Sequence, residues 1–405
     1  MPCFVPVTTN NRLTFVRWLS GFAAFVTVVA VTAAEPYLPE NDNEVLESLP
    51  RAFLSGQSKL APLRQQLLDY PQNADLASRL ATSYMNIGNL EGDPRFYGYA
   101  QAAIHPWWKA TQAPSSILRI RAKLKEKDHQ YDASLADLEL LVAQQLRDVQ
   151  AWVEIANIYR VQGKYAKARQ ACDALSEFAD SARSRLCRVP LWAVTGQAEE
   201  AYASVTHLLP TARKRWPGAV QWIVTMQAKI AWALGEDKQA EQHFREGLAN
   251  NPADKYLMRA FADFLLDGGR EKEVLSLLHD HTNDNGILLR AAIAARRDGS
   301  ETMAADWQTQ LEARFEEIEL RGNQPHGRFK ARYALELKND PRRALELALG
   351  NWNKQKEARD TRNVLEAAIA SGDRAAAQPV LNFLAEHDTE DVVLRRLARQ
   401  LERNE

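Results

Sequence analysis

The chain has 405 residues, of which 46% are hydrophobic and 25% are charged. This is the ordinary composition of a soluble folded protein, and it excludes a disordered chain and a membrane protein with many spans. The formal net charge of −1 gives no general attraction to nucleic acid or to an anionic lipid surface, so we expect no nucleic-acid partner.

Residues 1–34 have the pattern of a secretory signal peptide. Arg12 and Arg17 precede an apolar run over residues 18–34, and small residues close that run up to Ala34. This order predicts cleavage after Ala34 and a body that is periplasmic or secreted. The run is also close to the shortest length that spans a membrane. The alternative is therefore an uncleaved inner-membrane anchor with a periplasmic body, which would contact the membrane only through residues 18–34.

Residues 35–73 are predicted to be an entry segment followed by the first helices. Val45, Leu46 and Leu49 precede Pro50, a pattern that favours an extended stretch leading into a short helix.

From residue 74 to residue 285 a helical-hairpin pattern returns about every 34 residues. A large residue is followed by a small one about a turn later, then by glycine, and then by another small residue. Two units show this order best: Trp152, Ala156, Tyr159, Gly163, Tyr165 and Ala168 in 149–182, and Trp222, Ala228, Gly235, Ala240, Phe244 and Pro252 in 221–254. A fixed period of this length predicts one supersecondary unit that is stacked many times.

These residues resemble the tetratricopeptide repeat (TPR) family, and the resemblance extends over nearly all of the chain after the signal segment. It implies an all-α, right-handed α-solenoid of about eight to ten helix-turn-helix hairpins. Small residues would let the two helices of a hairpin, A and B, pack closely, and glycine would end helix A with a positive φ. The resemblance implies binding of a protein or peptide partner and carries no enzymatic activity.

Several units depart from the pattern. The unit at 115–148 has His129 where the glycine is expected, and Pro190 is predicted to bend or shorten the first helix of the unit near 182–216. In the unit at 74, Gly88 is predicted to end helix A, and an insertion near 89–98 to lengthen the turn that follows.

Residues 286–405 are predicted to form divergent TPR-like hairpins and a C-terminal capping helix. The segment 389–404 has apolar residues at helical spacing and a charged opposite face, which suits a helix that covers the last apolar surface of a solenoid. A long polar connection around residues 322–328 interrupts the repeats. It leaves open the alternative of an enzyme or glycan-acting protein with a site near His326 and Arg328.

Five aromatic residues fall close together beside the insertion: Phe96, Tyr97, Tyr99, Trp107 and Trp108. They could form a rigid platform for a partner, with Tyr97, Tyr99, Trp107 and Trp108 as its contacts. We favour the other interpretation, a local core that fixes the inserted turn.

Helix A lines the concave groove in this fold class. The candidate partner-binding residues at these positions are Arg119, Lys123, Asn157, Arg160, Met226, Lys229, Trp232, Arg259 and Asp263. Basic and amide side chains in such a groove can hold a peptide carboxylate or backbone. The carboxylate clamp known in some TPR proteins is not reproduced, because Val153 and Glu154 stand where it needs Lys and Asn. A generic solvated inner face is the alternative.

Three cysteines are present, and Cys3 lies in the signal segment. In an oxidising compartment Cys172 and Cys187 could form a disulfide between the second helix of one hairpin and the first helix of the next. Two separate buried thiols are the alternative.

We find no catalytic, cofactor-binding or metal-binding constellation in the sequence. His279-Asp280-His281 is the one histidine cluster, and it offers too few ligands for a metal site without distant partners. We therefore predict a non-catalytic, exported scaffold or adaptor in an envelope-associated assembly. A membrane-anchored structural organiser is a second alternative, and neither the partner nor the oligomeric state follows from the sequence.

Overall fold

The structure is a computed structural model that describes residues 51–91, 93–320 and 327–403. The predicted signal at 1–34 and residues 35–50 of the entry segment lie outside the described residues. The helical hairpins lie in one compact unit, Ser55–Glu405.

The described residues form twenty-one α-helices and one short 3-10 turn at His279–His281, and no strand occurs among them. The helices are α1 Arg51–Asp69, α2 Ala74–Glu91, α3 Arg95–Ala103, α4 His105–Trp108, α5 Ser115–Lys127, α6 Tyr131–Gln144, α7 Val149–Val161, α8 Tyr165–Ser176, α9 Ser181–Trp192, α10 Ala198–Arg215, α11 Pro217–Ala233, α12 Asp237–Asn250, α13 Lys255–Asp267, α14 Glu271–Leu278, α15 Asn285–Arg297, α16 Glu301–Leu320, α17 Gly327–Glu336, α18 Pro341–Trp352, α19 Ala358–Ser371, α20 Arg374–Glu386 and α21 Val392–Arg403. None of these helices is both long and apolar enough to cross a membrane.

Successive helices pack as hairpins, and successive hairpins stack. The helix α5 packs on α6 and α7 on α8, while α6 also packs on α7 and α8 on α9; the same order continues through α12. The repeat alanines Ala122, Ala156, Ala228 and Ala262 are all buried. Their small size allows the close helix approach that the sequence predicts. The prediction of an all-α stack of hairpins is confirmed.

The turn between helices A and B requires a left-handed residue. Gly163 has φ 74° and Gly235 has φ 81°, and His129 takes φ 57° at the equivalent turn. The ring of His129 compensates in part, because its Nδ1 lies 2.9 Å from the hydroxyl of Tyr131.

Gly88 does not end its helix as predicted. It lies inside α2, which continues to Glu91, so the turn before α3 is shorter than expected. A Cβ at Gly88 would lie 3.2 Å from the Cβ of Phe96 and 3.2 Å from the ring of Tyr97. Glycine is needed there for the close approach of α3, not for a positive φ.

Helices α17–α21 (327–403, here the C-terminal module) pack against the turns of much earlier hairpins. The backbone N–H of Lys356 donates to the carbonyl of Val161 over 2.7 Å, at the end of α7. The carboxylate of Glu390 accepts from the backbone N–H of Ala198 over 2.6 Å, so it caps the start of α10. Val392 lies 3.5 Å from where a Cβ on Gly235 would stand. Simple stacking predicts that each hairpin contacts its neighbours alone. These hairpins also contact the C-terminal module, which is distant in the chain.

A buried ion cluster joins this module to α13 and α15. The carboxylate of Asp263 pairs with Arg290 at 2.6 Å, with Arg359 at 3.0 Å, and with Arg332. All four side chains are surrounded by protein. Burial disfavours the charge of Asp263, but the three guanidinium groups outweigh it and hold its pKa well below the usual range.

Cys172 of α8 and Cys187 of α9 are joined by a disulfide, with their Cα atoms 5.7 Å apart. Both residues are buried. The bond links helix B of one hairpin to helix A of the next. These are the helices on which the repeat pattern of the sequence places Cys172 and Cys187.

Candidate functional site

The A helices α5, α7, α11 and α13 each carry a strip of partly or fully exposed side chains. On α11 the strip contains Trp222, Met226 and Lys229, at the spacing that places residues on one side of a helix. The combined strips, which we call the A-helix groove, contain Arg119 and Lys123 of α5, Val153, Asn157 and Arg160 of α7, Trp222, Met226 and Lys229 of α11, and Tyr256 and Arg259 of α13.

Neighbouring strips contact one another through polar side chains. At the α5–α7 end, Arg119 pairs with Asp148, and Lys123 lies 3.3 Å from Glu154. Asn157 lies 3.4 Å from the carboxylate of Glu126. The basic residues at this end of the groove are therefore neutralised by carboxylates of the same hairpins.

Burial shifts the pKa of one carboxyl group at this end of the groove. Burial raises the pKa of Glu126, and the nearby charge of Glu154 raises it further. The carboxyl of Glu126 therefore holds its proton more readily than an exposed glutamate.

The C-terminal module closes the groove at the carboxyl ends of its helices. Arg160 lies 3.3 Å from Glu357, which in turn pairs with Arg328 at 2.7 Å. Arg328 also binds Asp360 with two hydrogen bonds of 2.6 Å, a planar two-point contact. Burial disfavours the charge of Glu357, but Arg328 and Arg160 outweigh it and hold its pKa below the usual range.

The α11–α13 end of the groove is different, because its aromatic side chains face solvent. Trp222 is 39% exposed and Tyr256 is 50% exposed. Lys229 Nζ donates to the hydroxyl of Tyr256 over 2.6 Å and lies 5.1 Å from the centre of that ring. A hydrogen bond of 2.7 Å from Gln221 to Asp254 holds the starts of the two helices together.

The structure places most of the predicted groove residues along these strips, with two exceptions. Asp263 is 5% exposed beneath the C-terminal module, so the burial of its carboxylate removes it from the surface that a partner could reach. Trp232 is partly buried and packs against the rings of Phe244 and Phe264. Whether the remaining residues bind a partner stays a prediction.

Sequence reasoning missed Trp222 and Tyr256 as surface residues, although both belong to the repeat pattern. They are equivalent positions of adjacent units, and the signal was their shared register on helix A. The repeat pattern calls for a large residue near the start of helix A but does not tell which of them face solvent, as these two do.

The aromatic group beside α3 and α4 has mixed surroundings. Phe96 is fully buried, and Tyr99 is 42% exposed with its ring 5.5 Å from that of Tyr84. The buried guanidinium of Arg121 donates hydrogen bonds to the carbonyl oxygens of Trp107 and Ala110, over 2.5 and 2.8 Å. Tyr97 hydrogen-bonds to Asn89, and Trp108 is partly buried. These contacts favour a local core at this turn.

The other candidate sites have the following surroundings. His279 and Asp280 are highly exposed and hydrogen-bonded to each other over 2.9 Å. His326 lies outside the described residues, and Arg328 is held in the ion pairs given above. Within residues 51–91, 93–320 and 327–403, no group of three or more His, Cys, Asp or Glu side chains could hold a metal ion.

Stacked hairpins with buried small residues at the crossings and left-handed turns define the architecture. It is TPR-like. No family model matches the sequence, and no curated protein sequence matches it.

Solved structures show limited likeness. A crystal structure of PilW, a type IV pilus biogenesis factor, is 18% identical, with 50% of this chain and 94% of that chain covered and a TM-score of 0.40. A tetratricopeptide repeat protein from Parabacteroides merdae is 14% identical, with 60% and 93% covered and a TM-score of 0.38. Human IFIT1, solved with m7Gppp-AAAA, is 16% identical, with 73% of each chain covered and a TM-score of 0.36. At these TM-scores the likeness carries no argument about partners or activity.

Proposed function

We propose that this protein is a non-catalytic scaffold that holds an extended segment of a partner protein in the A-helix groove. The observation that supports it is the solvent-exposed aromatic pair Trp222 and Tyr256 on adjacent A helices. Exposed tryptophan and tyrosine side chains offer large apolar area at small entropic cost, and they are the residue types that dominate protein interfaces.

The scaffold itself needs little reorganisation to bind. The groove residues sit on packed helices, and the C-terminal module fixes one end of those helices through buried ion pairs. A preformed surface loses little conformational freedom on association, which leaves more of the contact energy for affinity.

The proposal includes export, because residues 1–34 have the pattern of a signal peptide and the disulfide suits an oxidising compartment. The partner would then belong to an envelope-associated assembly. Intact-mass measurement of the purified mature chain tests this part. A chain that begins at Glu35 supports export with cleavage, and a chain that retains residues 1–34 supports the anchored alternative.

Site-specific photocrosslinking tests the groove itself. A photoreactive benzoylphenylalanine replaces Met226, a partly exposed residue that lies between Trp222 and Lys229 on the same strip. A matched variant carries the same group at Lys238, an exposed position on α12. We expect a discrete crosslinked protein in envelope extract from position 226 and none from position 238. No adduct at 226, or the same adducts at both positions, would overturn the proposal.

A further inference from the structure

One basic side chain of the A-helix groove differs from the others in its charge balance. Arg119, Lys123, Arg160 and Arg259 each have a carboxylate of the chain within 4.0 Å. Among the residues that the structure describes, Lys229 has none, and its ammonium group contacts the hydroxyl of Tyr256 instead. Glu357 is close enough to feel its charge but is already bound by Arg160 and Arg328.

Lys229 is partly exposed, and two aromatic side chains that face solvent lie on the same part of the groove. Tyr256 is 50% exposed and Trp222 is 39% exposed, and Met226 lies between Trp222 and Lys229 on the same strip. A carboxylate brought to this ammonium group would gain an ion pair without displacing an existing one. An apolar side chain beside it would cover aromatic area that now faces water.

The helix geometry sets the spacing of such a ligand. Trp222 and Lys229 are seven residues apart on α11, so their Cα atoms are separated by about 10 Å along the axis. A peptide in the polyproline II conformation advances about 3.1 Å per residue with three residues per turn, so its side chains three positions apart lie on the same side. A peptide that lies along α11 therefore covers this separation in about three residues.

We infer that the groove recognises an extended, polyproline II-like peptide that carries an acidic and an apolar residue three positions apart. The acidic side chain pairs with Lys229, and the apolar side chain packs against Trp222. The inference rests on the proposed function, since it specifies the chemistry of the partner segment that the same groove holds.

Short labelled peptides test the motif on the full mature chain by fluorescence anisotropy. The reference peptides contain one Glu and one Leu three positions apart, in either order, in an otherwise Gly-Ser sequence. In one control Gln replaces the Glu, and in another the Glu and Leu are adjacent. We expect one order of the reference pair to bind about fivefold more tightly than either control, the upper range for a partly exposed ion pair.

Variants assign the effect to the two ends of the site. Lys229→Met should abolish the preference for Glu over Gln. Trp222→Ala should lower the affinity for the reference peptide but retain that preference. Lys272→Met, an exposed lysine on α14, is the matched control and should change nothing. Circular dichroism and the thermal midpoint establish that each variant is folded.

The inference is overturned if the wild-type chain binds all four peptides equally, or if Lys229→Met keeps the preference for Glu. A crosslink at position 226 together with equal peptide binding would leave the proposed function standing and remove only the motif. Loss of the crosslink as well would remove both.

Discussion

Arg160 of α7 lies 3.3 Å from the carboxylate of Glu357, a residue 197 positions later in the chain. The pair shows that the groove is bounded by the chain itself at one end. On the side of the C-terminal module, the Asp263 cluster is buried. On the other side, the strips of α5, α7, α11 and α13 are not covered by the module. The location of the proposed partner site therefore follows from what the C-terminal module covers.

Two glycine substitutions should separate the strain of a turn from the contacts of the module. Gly163 has φ 74°, and a Cβ there would lie 2.7 Å from Lys356 and 3.0 Å from Phe383. Gly299 has φ 81°, and a Cβ there would meet nothing within 4 Å. Both alanine variants lose about 1–2 kcal/mol to the left-handed backbone. Gly163→Ala should lose about 1–3 kcal/mol more, because the docked side chains must move.

Urea unfolding of both variants measures the difference. Equal losses for Gly163→Ala and Gly299→Ala would mean that the C-terminal module does not rest on the turn after α7.

The carboxylate of Asp263 should be among the most sensitive side chains of the protein. Asp263→Ala leaves Arg290, Arg332 and Arg359 buried without their shared counter-ion, which typically costs about 3–5 kcal/mol. The exposed Asp306→Ala on α16 is the matched control and should have little effect. Thermal unfolding gives the stability, and faster hydrogen exchange in α17 and α19 should show that the module has loosened. Equal stability of the two variants would contradict the cluster's role.

Acid should lower the stability of the α12–α14 region, because it protonates Glu241. Hydrogen bonds from Arg270, and then from Arg245, lower the pKa of Glu241 to about 2, against the opposing effect of burial. A depressed pKa stabilises the fold above the unfolded value near 4.5, and that stabilisation is lost as the pH falls towards 2. Glu241→Gln should therefore lower stability at pH 7 and flatten its decline between pH 4.5 and 2. Identical pH profiles of stability for Glu241→Gln and the wild-type chain would contradict this assignment.

The disulfide should stabilise the middle of the stack. Its sequence separation is 15 residues, and for a loop of that size the chain-entropy model gives about 3 kcal/mol. Replacing Cys172 and Cys187 together by alanine should lower the free energy of unfolding by about that amount. Thiol titration of the unfolded, unreduced wild-type chain should find neither of the two reactive. Two free thiols from these positions would show that the bond does not form.

The hairpins were predictable because their determinants are local and repeated. Alanine at the crossings and glycine at the turns recur in register, and even His129 adopts the conformation of the glycine that it replaces. The packing of the C-terminal module was not predictable, because it joins residues such as Arg160 and Glu357 that share no period.

The same limit explains the mixed result for the groove. Asp263 and Lys229 occupy equivalent positions of adjacent units, so the repeat assigned both to the inner face. The register was right, but the module covers Asp263 and leaves Lys229 open. Exposure depends on distant helices, and no local pattern reports it.

The packing of the C-terminal module on the hairpin turns can be tested most directly by disulfide trapping between Gly196 and Asp388. A Cβ built on Gly196 lies 3.2 Å from the Cβ of Asp388, a few tenths of an ångström under the roughly 3.5–4.5 Å that a disulfide spans. Gly196→Cys with Asp388→Cys should crosslink almost completely within one chain under mild oxidation, as seen by mobility on a non-reducing gel. Gly299→Cys with Asp388→Cys is the control and should stay reduced. Equal behaviour of the two pairs would contradict the packing of the C-terminal module on the hairpin turns, which bounds the groove at one end.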